Sequence, residues 1–185
     1  MLGRERRPMA ETILALVNEQ CCEEMRQMVL EAPPGCVVEL GVYQGGSARY
    51  LYDACEQQNR ELYLYDTFEG IPFRGGFDSH KVGDFSDTNA EMVSKMLPRA
   101  KVIKGTFPFS IMKMPPIAFA HVDADQYDSI RMAIYVLGPM MVPGGVMWFD
   151  DVGCLDSANK AVKEWALENN RPLYKSKTNK CYARF

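Results

Sequence analysis

The sequence predicts an α/β protein: a doubly wound, mostly parallel sheet of the Rossmann-like kind, with helices on both faces and an antiparallel strand near the C-terminus. Three observations carry this. Short apolar runs such as CVVEL (Cys36–Leu40) and IAFAHV (Ile117–Val122) alternate with longer segments of helical period, the order that builds βαβ units. The runs are almost wholly apolar, as strands covered on both faces are. Acids stand where they end, at Asp66, Asp123, Asp125, Asp150 and Asp151. Crossovers of one hand bring such strand ends to a single edge, where ligands bind in this class.

The elements follow in order. ETILALVNEQCCEEMRQMVLEA (Glu11–Ala32) places Ile13, Leu14, Leu16, Val17, Met25, Met28 and Val29 near helical spacing, and PPG ends it. CVVEL is the first strand, GVYQGG a turn and SARYLYDACEQQ a helix. ELYLYD (Glu61–Asp66) is the second strand. A long irregular stretch, residues 67–85, precedes SDTNAEMVSKML, a helix with Ser86 or Asp87 as its cap. AKVIKG is a strand, and FPFSIMKMPP connects it to IAFAHVD. YDSIRMAIYVLGPM is a helix, GGVMWFDD a strand and SANKAVKEWALEN a helix, before two short strands in PLYKS and KCYARF.

The chain has 185 residues, enough for one domain (1–185) with a full core, its residues 1–34 forming an N-terminal helical extension. A net charge of −3, with no basic cluster beside a nucleic-acid motif, disfavours a nucleic-acid partner. No apolar run reaches the length of a membrane span, and the N-terminus lacks an apolar signal core. The six cysteines form no C-x-x-C pair, which predicts reduced thiols in a cytoplasmic protein.

ELGVYQGGS leaves the first strand through Gly41, Gly45 and Gly46. Glycines permit a tight turn and close approach of backbone to a ligand, although a purely structural connection would use them too. Asp66 ends the second strand, where an acid accepts hydrogen bonds from a ribose diol. Together they predict a nucleoside-containing cofactor. Neither G-x-G-x-x-G nor a P-loop lysine is present, so S-adenosylmethionine fits better than NAD. Thr67, beside Asp66, and Gly105, after the third strand, join this set. Glu39 is an unusual acid inside a strand.

Acids converging at one edge repel unless protonated, hydrogen-bonded or bridged by a cation. Oxygen ligands alone select a hard ion such as Mg²⁺; a solvated acidic rim is the alternative. Successive strand residues point to opposite faces, so Asp150 and Asp151 share a cation only if the chain turns between them, and Gly153 is suited to such a turn. His80, in the long loop, is a candidate base or substrate contact. Residues 67–85 form a candidate lid.

VVELGVYQGGSARYL, LYDTFEGIP, VGDFSDT, VIKGTFPFS, HVDADQYDSI and MVPGGVMWFDD resemble the macrocin O-methyltransferase family, over roughly Val37 to Lys163. These are Rossmann-like, metal-dependent S-adenosylmethionine methyltransferases acting on sugar hydroxyls of natural products. The resemblance implies cofactor contacts around Glu39, Gly41, Ser47 and Asp66, and metal ligation by Asp123, Asp150 and Asp151, with Asp123 also near the cofactor. It implies Asp125 as general base, a small-molecule hydroxyl acceptor and a homo-oligomer. Two other readings stand beside it: a non-catalytic module that binds S-adenosylmethionine, and an NAD-linked oxidoreductase.

Overall fold

A computed structural model describes residues 16–185. The order of elements is α1 (Glu19–Glu31), β1 (Cys36–Leu40), α2 (Ala48–Gln58), β2 (Leu62–Asp66), α3 (Ala90–Met96), β3 (Lys101–Lys104), β4 (Ile117–Val122), α4 (Tyr127–Leu137), β5 (Met141–Phe149), α5 (Asp156–Glu168), β6 (Tyr174–Lys175) and β7 (Cys181–Arg184). One seven-stranded sheet runs β3-β2-β1-β4-β5-β7-β6. The first five strands are parallel, and β7 pairs antiparallel with both β5 and β6. This is the predicted doubly wound sheet with its antiparallel strand.

The central strands are buried on both faces, which accounts for their largely apolar sequence; Glu39 and His121, their buried polar residues, face each other across β1 and β4. Val37 and Trp148 face one core with Met25 and Val29 of α1 and Leu51 of α2. Val38, Tyr65 and Phe149 face the other, with Ile130 and Ile134 of α4 and Val162 of α5. Full burial of each large side chain contributes about 1.5–3 kcal/mol. The two cores make the five parallel strands a rigid platform, and their carboxyl ends leave it along one edge.

Two boundaries differ from the sequence pattern. The first helix begins at Glu19, where the Asn18 side chain accepts from the Gln20 amide at 2.8 Å; residues 11–15 lie outside those described. Capping chemistry stops the helix while the apolar spacing continues. Likewise α3 starts at Ala90, because Asn89 caps it by accepting from Glu91 and Met92. Asp87, one of the expected caps, instead accepts from the Tyr43 hydroxyl at 2.6 Å. Among the described residues no helix is long and apolar enough to cross a membrane.

Candidate active site

A cavity of about 390 Å³ opens at the carboxyl edge, lined by the exits of β1, β2, β4 and β5 and by the loops after β2 and β3. Its floor is set by Gly41. That residue has φ +87°, and a Cβ there would stand 1.7 Å from the carbonyl oxygen of Asp123. Only glycine lets β1 leave the sheet so close to the end of β4. The Asp123 amide donates to the Leu40 carbonyl at 2.8 Å, and Gly41 donates to Tyr65 at 3.0 Å, so the three strand ends are tied together.

Asp66 braces the turn. One carboxylate oxygen accepts from the Val42 and Tyr43 amides, both at 2.8 Å, and the other from Phe68 at 2.7 Å. Ionised, it offers about four lone-pair positions, so capacity remains on the cavity side that it lines. Ser47 also lines the cavity, and its hydroxyl donates to Glu39 at 2.7 Å. Glu39 itself is fully buried behind Ser47, 2.8 Å from His121 Nδ1, with its second oxygen unpartnered. Thr67 and Gly105 line the cavity; Gly45 does not, and packs against Met96 and Val93 while Gly46 takes the lining position.

The acids gather at the far side. Asp123, Asp125 and Asp151 each bring a carboxylate oxygen within 4.8 Å of the others. Asp150 lines the same cavity, but one of its oxygens lies 2.8 Å from Lys180 Nζ. The chain turns just after Asp150 and Asp151: the Cys154 and Leu155 amides return to the Asp151 carbonyl, while the Asp150 amide still donates to Val122 of β4 at 3.2 Å. Burial, then the neighbouring Asp151, Asp150 and Asp125, pushes the Asp123 carboxyl well above the usual range. Burial and Asp151 push Asp125 up to about 8. Burial and Asp150 raise Asp151, with Lys180 and the histidines offsetting part of it. Two buried oxygens, Asp150 Oδ1 and Asp151 Oδ2, have no hydrogen-bond partner among the described residues. An oxygen-only set of this kind matches a hard cation.

The 67–85 loop contributes Thr67, Gly70, Ile71, Pro72 and Phe85 to the cavity lining. Its base is closed by Ile71 donating to Asp84 and Gly83 to Ile71. Asp78 is buried and accepts from the Tyr127 amide at 2.9 Å, capping α4 from another segment because Gln126 provides no cap of its own. His80 Nε2 lies 3.6 Å from Asp125 Oδ1. The structure therefore brings both candidate bases together. Asp78 and Lys180 escaped sequence reasoning, since both act through partners about 30 to 50 positions away.

Comparison with known proteins follows the same line. The family model described as Macrocin-O-methyltransferase (TylF) matches residues 3–178. A relative from Streptomyces olivaceus, the 8-demethyl-8-(2,3-dimethoxy-alpha-L-rhamnosyl)-tetracenomycin-C 4'-O-methyltransferase, is 28% identical over 189 residues, spanning 89% of this chain and 71% of that protein. Among solved structures, the O-methyltransferase NovP shares the fold with a TM-score of 0.79 at 21% identity, over 89% of this chain and 79% of that one. TomG from Streptomyces achromogenes, an O-methyltransferase solved in complex with SAM, shares it at 0.60 and 13% identity, over 91% and 80%. With a family match spanning nearly its whole length, the chain belongs to the macrocin O-methyltransferase (TylF) family and is an S-adenosylmethionine-dependent O-methyltransferase.

Proposed function

We propose that the chain methylates a hydroxyl of a natural-product sugar, with Mg²⁺ held by Asp123, Asp150 and Asp151 and with Asp125 as general base. The observation that carries this reading is the convergence of Asp123, Asp125 and Asp151 carboxylate oxygens within 4.8 Å of one another, with Asp150 lining the same cavity. Asp150 Oδ1 and Asp151 Oδ2 are buried without a partner, at a cost of about 1–3 kcal/mol each, which a divalent cation bound here would offset. The sugar acceptor is supported by the rhamnosyl methyltransferase relative. The oxidoreductase and the non-catalytic alternatives give way to the family match.

Methyl transfer is an in-line displacement from a sulfonium to oxygen, and holding the two in attack geometry supplies about 7–11 kcal/mol at most. The glycine turn, Ser47 and Asp66 would hold the donor, with Glu39 acting from behind Ser47. Bound at the acids, the cation would acidify the acceptor hydroxyl and fix its position. Asp125 would receive the proton on its carboxylate. A positioned general base of this kind contributes about 10²–10⁴-fold. His80, 3.6 Å from Asp125, would orient that carboxylate. Residues 67–85, with Ile71 and Phe85 on the cavity, would act as the lid that excludes water.

Turnover with a rhamnosylated acceptor, S-adenosylmethionine and Mg²⁺ tests the reading. Activity that disappears on chelation and returns with Mg²⁺ is expected; full activity after exhaustive chelation would leave the acids a solvated rim. The buried, unpaired thiols fit a reducing cytoplasm, and the resemblance to a family of oligomers predicts a homo-oligomer, which sedimentation would detect.

A further inference from the structure

We infer that Lys180 is a positioning residue of the cation site: it grips Asp150 by one carboxylate oxygen so that the other is presented, beside Asp151, to the divalent ion. The inference rests on the proposed cation reading and adds a residue from outside every motif that suggested it. Asp150 and Asp151 are consecutive, and on a continuing strand they would point to opposite faces. Trp148 and Phe149, just before them, do exactly that, facing the two separate cores. Asp150 lines the cavity but stands just outside the group of Asp123, Asp125 and Asp151 oxygens that lie within 4.8 Å of one another, so sharing an ion with Asp151 requires its carboxylate to be held in place.

Lys180 is placed to do so. Its Nζ lies 2.8 Å from Asp150 Oδ2 and 2.8 Å from the Asp150 carbonyl oxygen. One ammonium thus fixes both the side chain and the backbone just before the chain turns. Only 19% of the Lys180 side chain and 10% of the Asp150 side chain is exposed, so the pair is screened little by solvent. Asp150 Oδ1 is left buried and unpartnered, in a residue that lines the cavity. A ligating carboxylate held by a hydrogen bond to its other oxygen is the usual outer-shell arrangement of metal sites.

The lysine is itself held. It follows the turn between β6 and β7, and Glu24 of α1 clamps that turn, accepting from the Lys177 amide at 2.7 Å, the Thr178 amide at 2.9 Å and the Thr178 hydroxyl at 2.6 Å. A path of direct contacts runs from α1 through the β6–β7 turn to the acid at the end of β5. None of these residues touches the reacting atoms.

The test measures Mg²⁺ binding by calorimetry on the full chain saturated with S-adenosylhomocysteine. Lys180→Met keeps the apolar stem and removes the ammonium. We expect it to weaken Mg²⁺ affinity by about 10–100-fold, the usual loss for an outer-shell partner, while S-adenosylhomocysteine affinity stays within about twofold in metal-free buffer. Lys180→Arg should restore most of the loss, and Glu24→Gln, which loosens the clamp from a distance, should give a smaller weakening in the same direction. Unchanged or tighter Mg²⁺ binding by Lys180→Met overturns the role given to Lys180. If Lys180→Met fails to bind S-adenosylhomocysteine and is therefore misfolded, Glu24→Gln decides, and unchanged Mg²⁺ affinity in that variant overturns it. Absence of Mg²⁺ binding by the unmodified protein would instead remove the cation reading itself.

Discussion

The two halves of the cavity are finished to different degrees. On the donor side, Asp66 already receives three backbone amides and Ser47 donates to a buried carboxylate. On the acid side, two buried oxygens have no partner, and three carboxyls are pushed up by burial and by one another. The donor half is a scaffold braced by backbone amides, with Glu39 Oε2 and His121 Nε2 the buried atoms left over behind Ser47. The acid half adds an electrostatic conflict, like charges crowded together, that a cation would relieve. The halves thus differ in their charge balance, and perturbing each should give a different signature.

The largest expected effect lies in the acid half. Asp125→Asn should lower kcat by about 10²–10⁴-fold and leave Mg²⁺ and S-adenosylhomocysteine affinity nearly unchanged, because its charge matters as the proton moves. Single-turnover rates beside the two binding isotherms would show this; equal losses in binding and rate would make Asp125 a ligand instead. Next comes the scaffold half. Asp66→Ala removes a charged acceptor from three amides, at about 1.5–3 kcal/mol for a bond to a charged group. Urea titration should show lower stability even without ligand, together with weaker S-adenosylhomocysteine binding. A variant that lost only binding would mean the turn stands without Asp66.

A smaller effect separates the halves by pH. The acid-cluster carboxyls have raised values in the folded protein, Asp125 at about 8, against about 3.9 for an unfolded aspartate. Between those values the folded state binds more protons, so stability falls as pH rises. Metal-free protein should therefore melt lower at pH 8 than at pH 5.5, by about 2–4 °C for each kcal/mol involved. Saturating Mg²⁺ should flatten that slope. A metal-free melting temperature that rises over the same interval would contradict the cluster's conflict. The smallest effect concerns the 67–85 loop. Asp78→Ala removes the cap on α4 and should cost about 1 kcal/mol, with faster hydrogen exchange in residues 67–85. Unchanged exchange there would mean the loop is anchored by other contacts.

The sequence was most legible where each signal is local. Largely apolar runs marked the central strands, since burial on both faces demands nothing from a distant partner; the edge strand β3, flanked by Lys101 and Lys104, was legible from its β-branched centre and its place in the alternation. Acids after β2, β4 and β5 followed directly, because topology alone carries strand ends to one edge. The first helix was misjudged at its start because apolar spacing continues past the point where Asn18 caps it. At Gly45 the sequence pointed to a cofactor contact and gave no sign of the packing that also requires glycine there, since a Cβ would meet the Met96 methyl at 2.6 Å. Lys180 and Asp78 were invisible for one shared reason. Each meets its partner across a turn or helix of another segment, and no spacing within the chain encodes such an encounter.

Gly41 has a further consequence. Its Cα lies so near the Asp123 carbonyl that no side chain fits between them, and Asp123 is hydrogen-bonded back to Leu40. The glycine turn proposed to hold the donor and the first acid of the proposed cation site therefore share one backbone junction, so a shift in one is transmitted to the other. Two sites joined this way are thermodynamically linked: whatever factor by which S-adenosylhomocysteine changes Mg²⁺ affinity, Mg²⁺ must change S-adenosylhomocysteine affinity by the same factor. The order in which the two arrive is then a matter of kinetics alone, and the ternary complex has the same free energy by either route.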